Sequence, residues 1–239
     1  MTVNRREFIG QSAALTAALA APGALFQRAG GATILFQGDS ITDCGRNRKS
    51  TKANDTSALG PGYPLALAGM LRDRYPSRDF QVYNRGVSGN TVQDLKARWT
   101  PDTIALAPAV LSILIGVNDK WHTLDGSYKG TADSYHAGYA ALLAATRTAL
   151  PGVHIIVLEP FALHTGAVTE AWFPDFDRYR AAARQVADQA RATFVPLHDM
   201  FQQLARKSSP AYWASDGVHP TVAGHEAIAQ QWLSKVKVG

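Results

Sequence analysis

The chain has 239 residues, of which 46% are hydrophobic and 18% charged, with a formal net charge of +5 and one cysteine, Cys44. That balance excludes wholesale disorder, a collagen-like repeat and a disulfide scaffold, and the length is enough for one sizeable core. Removing Arg5, Arg6, Glu7 and Arg28 leaves a net +3. The basic character is therefore mild and dispersed, and it gives no reason to propose a nucleic-acid partner.

Read from the N-terminus, Arg5-Arg6 precedes an alanine-rich apolar stretch from Ala13 to Ala21. A charged start, an apolar middle and small residues after it make an export signal, assigned here to residues 1–30. The paired arginines resemble the twin-arginine type, although Asn4 and Ile9 depart from its usual Ser/Thr and Leu. Gly10, Gln11, Ser12 and Thr16 make the stretch too polar and too short for a comfortable membrane span, so no stable span is expected after processing. Ala18-Leu19-Ala20 fits a small-x-small cleavage rule, and the expected mature form lacks the first 20 to 30 residues. The address implies a periplasmic or extracellular protein.

Residues 31–239 read as a single domain of alternating strand and helix. Strands are expected at 33–36, 80–84, 110–115, 154–158 and 192–197, where short, nearly continuous apolar runs suit burial on both faces of a parallel sheet. Helical patterns fall between and after them, at 63–75, 92–99, 134–150, 177–191 and 221–236. The alternation predicts an α/β fold, a three-layer α/β/α sandwich on a central parallel sheet of about five strands. Two long connections, residues 45–60 and 161–176, are of a length that is often functional.

In such a sheet, ligands bind beyond the carboxyl ends of the strands. After the first strand comes Gly38-Asp39-Ser40-Ile41-Thr42. After the second comes Gly86-Val87-Ser88-Gly89-Asn90-Thr91, and after the third Gly116-Val117-Asn118-Asp119. Near the C-terminus stands Asp216-Gly217-Val218-His219-Pro220. Singly, each has a bland reading: a helix cap at Asp39-Ser40, a turn at Asn118-Asp119, a helix opening with Pro220 at its first position. Together they supply a serine, a histidine, a carboxylate and amide donors, the parts of acyl transfer by a nucleophilic serine.

These four blocks, in this order, resemble the SGNH hydrolases, also called the GDSL esterase/lipase family, over roughly residues 32–236. The resemblance implies a flavodoxin-like fold. It also implies a serine esterase acting through an acyl-enzyme on Ser40, with His219 as base and Asp216 as its orienting carboxylate. The implied oxyanion donors are the Ser40 N–H, the Gly89 N–H and the Asn118 amide. Gly89 is preferred to Gly86 because it precedes Asn90-Thr91. Asp39 is expected to be structural, bonding to loop backbone. Asp43-Cys44-Gly45-Arg46 and Lys120-Trp121-His122 are similar to a branch labelled as carbohydrate or short-chain esterases. Short-chain or acetyl esters of carbohydrate-type substrates are therefore expected. An O-acyltransferase using the same serine, and lysophospholipase or arylesterase preferences, remain alternatives, as does a phosphate-binding flavodoxin-like protein.

No cofactor and no metal are expected, because the remaining histidines (His122, His136, His154, His164, His198 and His225) show no paired ligand spacing. His122, four residues after Asn118, could line the site, while His154 lies inside a strand and is expected to pack. Trp121, Trp172 and Trp213 could stack on a sugar ring or pack against loops, with packing expected for at least one. No long apolar lid helix is visible. Oligomeric state is not legible from the residues.

Overall fold

The structure is a computed structural model, and it describes residues 32–236. The export signal expected at residues 1–30 lies outside the described residues.

The chain opens with β1 (Thr33–Gly38), which runs directly into the single-turn helix α1 (Ser40–Asp43). Helices α2 (Thr56–Leu59) and α3 (Tyr63–Arg74) lead to β2 (Gln81–Asn84). Helix α4 (Val92–Trp99) continues as a short π-helical turn, Thr100–Ile104, before β3 (Val110–Leu114). Then come α5 (Val117–Leu124), α6 (Ala132–Ala149) and β4 (His154–Leu158). A 3₁₀ turn at Glu170–Trp172 precedes α7 (Asp175–Gln189) and β5 (Thr193–Val195). The last helices are α8 (His198–Ala205), α9 (Pro210–Trp213) and α10 (Val222–Lys235).

All strand pairings are parallel, in the order β2-β1-β3-β4-β5. This is the flavodoxin-like order, with the reversal of direction between β1 and β3. Helices α3 and α10 pack together in one layer, and α4, α6 and α7 pack in succession in another. The apolar runs are buried as the parallel arrangement requires: Ile34, Leu35, Phe36, Val110, Leu111, Ile113, Ile155, Ile156 and Val157 are fully covered. At roughly 1.5–3 kcal/mol for each large aliphatic or aromatic side chain buried, this strip holds the sheet edge rigid.

Local sequence sets the helix starts nearest that edge. Thr91 and Asp94 form a reciprocal capping box on α4. Thr221 caps α10 through the Gly224 N–H. The structure corrects two of the local readings. Asn118-Asp119 is not a turn but lies within the first turn of α5, behind Gly116. Pro220 does not open α10, since Thr221 is the cap and Val222 the first helical residue. The expected five strands and five helices are present within a few residues of their sequence bounds. Helices α1, α2, α5, α8 and α9 are additional, and all are eight residues or shorter. Too few turns lie in them to show a helical hydrophobic period.

Candidate active site

Four loops meet at the carboxyl edge of the sheet. Ser40 stands at the start of α1, immediately past β1. Its Oγ lies 2.8 Å from His219 Nε2. His219 Nδ1 lies 2.7 Å from Asp216 Oδ2. The carboxylate can only accept from the ring, so Nδ1 carries the proton and Nε2 is left to accept from the Ser40 hydroxyl. The other carboxylate oxygen, Oδ1, accepts the Val218 N–H at 2.9 Å and the His219 N–H at 2.7 Å. Burial works to raise the Asp216 carboxyl, but hydrogen bonds from the His219 ring and from the two backbone amides outweigh it, and its pKa is lowered.

The loop bearing Asp216 and His219 is pinned at both ends. Ala214 and Pro220 form an isolated antiparallel bridge. The long connection at residues 161–176 forms the cradle: Leu163 N–H donates to Gly217 O, and Ala167 N–H donates to Asp216 O. Trp172 is buried in that cradle and donates from Nε1 to Ala167 O. Its ring packs 5.5 Å from Trp121, whose ring in turn lies 6.0 Å from the His219 imidazole. Trp172 is therefore a packing residue, and Trp121 walls the histidine. Trp213 lies in α9 and packs edge-on against Tyr212. His122 follows Trp121 on α5 and is partly exposed. His154 hydrogen-bonds to Thr193 across the β4–β5 pair.

The loop after β2 packs against α1. Gly86 is packed so tightly that a methyl group there would fall 2.4 Å from the Asp43 N atom. Only glycine lets the loop approach α1 this closely. Gly89 is the opposite case: its φ is +84°, and an added Cβ would meet nothing within 4 Å. Gly89 is exposed while Gly86 is buried, which separates the two glycines of that block. Asn118, at the start of α5, is buried and spends one amide N–H on Asn90 O at 3.1 Å. A primary amide has two N–H groups, so a second remains for a ligand.

Two carboxyls lie beneath this edge. Asp39 is buried and caps α1 by accepting the Ile41 N–H at 3.0 Å, the backbone role its position suggested. Its Oδ2 has no hydrogen-bond partner among the described residues. Asp119 is buried as well, and both its oxygens accept the Val92 N–H, at 3.1 and 3.2 Å. Burial raises each pKa to about 7.

Sequence reasoning missed the charged braces around the loop after β2. Asp43 accepts the Ser88 N–H and hydroxyl, and Arg98 donates to Asn90, Arg85, Gly38, Gln37 and Asp102. The available signal was spacing: Asp43 lies one helical turn past Ser40, and Arg98 stands on the helix that Thr91 caps. Among the described residues, no group of three or more His, Cys, Asp or Glu is placed to hold a metal ion. No helix among them is long and apolar enough to cross a membrane.

Residues 36–227 match the GDSL-like Lipase/Acylhydrolase family. A curated acetylxylan esterase of Geobacillus stearothermophilus is 38% identical over 210 residues, covering 86% of this chain and 94% of its own. A solved structure from Parabacteroides merdae, described as a GDSL-like lipase, superposes with a TM-score of 0.86 at 41% identity, covering 88% of this chain and 97% of that one. The crystal structure of the Geobacillus esterase superposes at 0.76 with 37% identity, covering 87% and 94%. Catalytic mutants of that esterase replace a serine and a histidine that stand 179 positions apart. Ser40 and His219 have the same separation. The chain belongs to the GDSL-like lipase/acylhydrolase family and is a carboxylic ester hydrolase.

Proposed function

We propose that the protein is a serine esterase that removes short acyl groups, acetyl foremost, from carbohydrate-type esters through an acyl-enzyme on Ser40. The observation that carries this reading is the continuous hydrogen-bonded line from Asp216 through His219 to the Ser40 hydroxyl. His219 Nε2 takes the Ser40 proton as Oγ attacks the ester carbonyl carbon, and Asp216 stabilises the imidazolium that results. Negative charge gathers on the carbonyl oxygen, where the Ser40 N–H, the Gly89 N–H and the free Asn118 N–H converge on it. Collapse of this intermediate expels the alcohol, which takes the proton from His219. A water molecule then gives a proton to His219 as its oxygen attacks the acyl carbon, and the Ser40–acyl bond breaks, with Oγ taking that proton back from Nε2 and the acid released.

The substrate class is supported by the acetylxylan esterase and acetyl-xylooligosaccharide esterase of Geobacillus, which align over most of the chain. A small glycan ester is accordingly the proposed partner. The test is a panel of esters, from acetyl to long acyl, on aryl and sugar alcohols, run beside Ser40→Ala. Hydrolysis that is highest for acetylated sugars and absent in the variant is expected. A preference for long acyl chains would overturn the substrate class. Loss of hydrolysis in favour of acyl transfer when an acceptor alcohol is added would point to a transferase.

Export by a twin-arginine route is proposed from Arg5-Arg6 and the alanine-rich stretch after it. Export of a fusion that is unchanged by Arg5→Lys with Arg6→Lys would remove that proposal.

A further inference from the structure

We propose that Asp43 and Arg98 are positioning residues that together hold the Gly89 N–H on the developing oxyanion, an inference that rests on the oxyanion role given to Gly89 above. Gly89 is exposed, has no side chain, and has open space on its Cβ side. Nothing packs on it there to fix its direction. A backbone donor must nevertheless be aimed in advance to act in the transition state. The aim must therefore come from the two neighbouring residues, and each is held by a charged side chain from a different element.

On one side, Ser88 donates twice to Asp43 Oδ2, from its backbone N–H at 3.0 Å and its hydroxyl at 2.7 Å. Asp43 is buried and sits one turn past Ser40 on α1. The same carboxylate that grips the loop is thus rigidly joined to the nucleophile. Arg48 pairs with Asp43, and Arg46 lies 3.7 Å from it while donating to Gly86 O at 2.9 Å. Burial works to raise the Asp43 carboxyl, but the Arg48 and Ser88 hydrogen bonds more than offset it, so it stays ionised and acceptor-only.

On the other side, Arg98 Nε donates to Asn90 Oδ1 at 2.7 Å. One of its terminal nitrogens donates to Arg85 O at 2.8 Å and the other to Gly38 O at 3.3 Å. The guanidinium thereby ties the ends of β1 and β2 to the residue after Gly89, in a planar fork that lysine cannot reproduce. Asn90 is held from a third direction by the Asn118 amide.

The test measures kcat, KM, thermal midpoint and affinity for a boronic acid, whose serine adduct carries the tetrahedral oxygen, on Asp43→Asn, Ser88→Ala and Arg98→Lys. Asparagine at 43 presents one donor and one acceptor, so an N–H must face either Ser88 or the arginines. The expected result for Asp43→Asn and Arg98→Lys is a loss of about 10- to 100-fold in kcat with KM within about threefold, somewhat less than removing a donor outright. Boronate affinity should fall in parallel. Ser88→Ala keeps the backbone bond and should lose about two- to fivefold. If Asp43→Asn does not fold, Ser88→Ala and Arg98→Lys carry the test. A kcat within about threefold of the parent in folded Arg98→Lys, and in Asp43→Asn where that variant folds, would overturn the proposal. Asn118→Ala, run in parallel, separates the two levels. If it abolishes turnover while these variants do not, only the positioning roles fail. If it too leaves kcat intact, the oxyanion reading fails and this proposal with it.

Discussion

Two groups of carboxyls flank Ser40, and they are built in opposite ways. Asp216 is about a third exposed, and each of its oxygens accepts at least one short hydrogen bond, so its pKa is lowered and it meets His219 as an anion. Asp39 and Asp119 are buried under the same loops, and burial lifts each to about 7. One residue type thus serves two purposes within a single site. Donors and solvent keep the first carboxyl charged and ready to steady an imidazolium. Exclusion of solvent makes the other two far readier to hold a proton, and they act as hydrogen-bonding scaffold for α1 and α4.

The open side is the one whose loss should stop the reaction. Ser40→Ala and His219→Ala are each expected to lower ester turnover by about 10⁴- to 10⁶-fold, with the double variant little worse, because residues that act as one unit are strongly non-additive. Losses that multiplied would exclude a shared proton-transfer step. Asp216→Asn should cost about 10⁴-fold, at the low end of the range for removing Ser40. Its new amide N–H would face His219 Nδ1, driving the ring proton to Nε2 and leaving no acceptor for the Ser40 hydroxyl. A small effect at pH 7 that did not change with pH would show that the tautomer is set by something other than Asp216.

Next in size is Asn118→Ala, at the start of α5. The alanine variant loses the bond to Asn90 O together with the second N–H, to which the proposed mechanism gives an oxyanion role. The expected result is a fall in kcat of about 100- to 1,000-fold with little change in KM. A clear drop in melting temperature, with kcat within about threefold of the parent, would show that Asn118 only ties α5 to the neighbouring loop.

The contrast between the two sides was only half legible in the sequence. The strands were readable because parallel strands buried on both faces leave continuous apolar runs, as at Val110–Leu114 and His154–Leu158. The blocks that hold Ser40, Gly89, Asn118, Asp216 and His219 stand out because each follows such a run or falls in a compact local pattern, and the structure brings the serine, the histidine and the aspartate into hydrogen-bond contact. The braces do not stand out. Asp43 meets Ser88 across 45 residues and Arg98 meets Gly38 across 60, and neither distance leaves a local trace. The same is true of Asp119, which reads as half of a turn dipeptide and acts instead on the Val92 N–H. Nothing in a residue's identity tells whether its carboxyl is solvated or buried, so the unequal protonation of the three aspartates emerges only with the packing.

The smallest expected effect concerns stability and tests the closed side directly. A carboxyl with a folded pKa of about 7 keeps its proton through a range where the unfolded chain, with its ordinary value of 3.8, has released it. The folded state then binds more protons, so stability falls as pH rises from about 4 to about 7 and levels off above that. Asp216 has the opposite sign: its lowered pKa adds stability above the ordinary carboxylate value, and that is lost as pH falls through the folded value. Replacing Asp119 by asparagine imitates the neutral acid, since its oxygen can still accept the Val92 N–H and its amide donates as a protonated carboxyl would. At pH 4.5 variant and parent should therefore melt within about 2 °C of each other. At pH 7.5 the variant should melt higher by several degrees, given roughly 2–4 °C per kcal/mol for a domain of this size. Every other titrating group is common to the two proteins, so the difference between their melting curves reports Asp119 together with its charge's effect on the Asp39 carboxyl. Parallel curves across the window would mean that this carboxyl is ionised in the folded protein at no cost, and the contrast between the two sides of Ser40 would then rest on Asp39 alone.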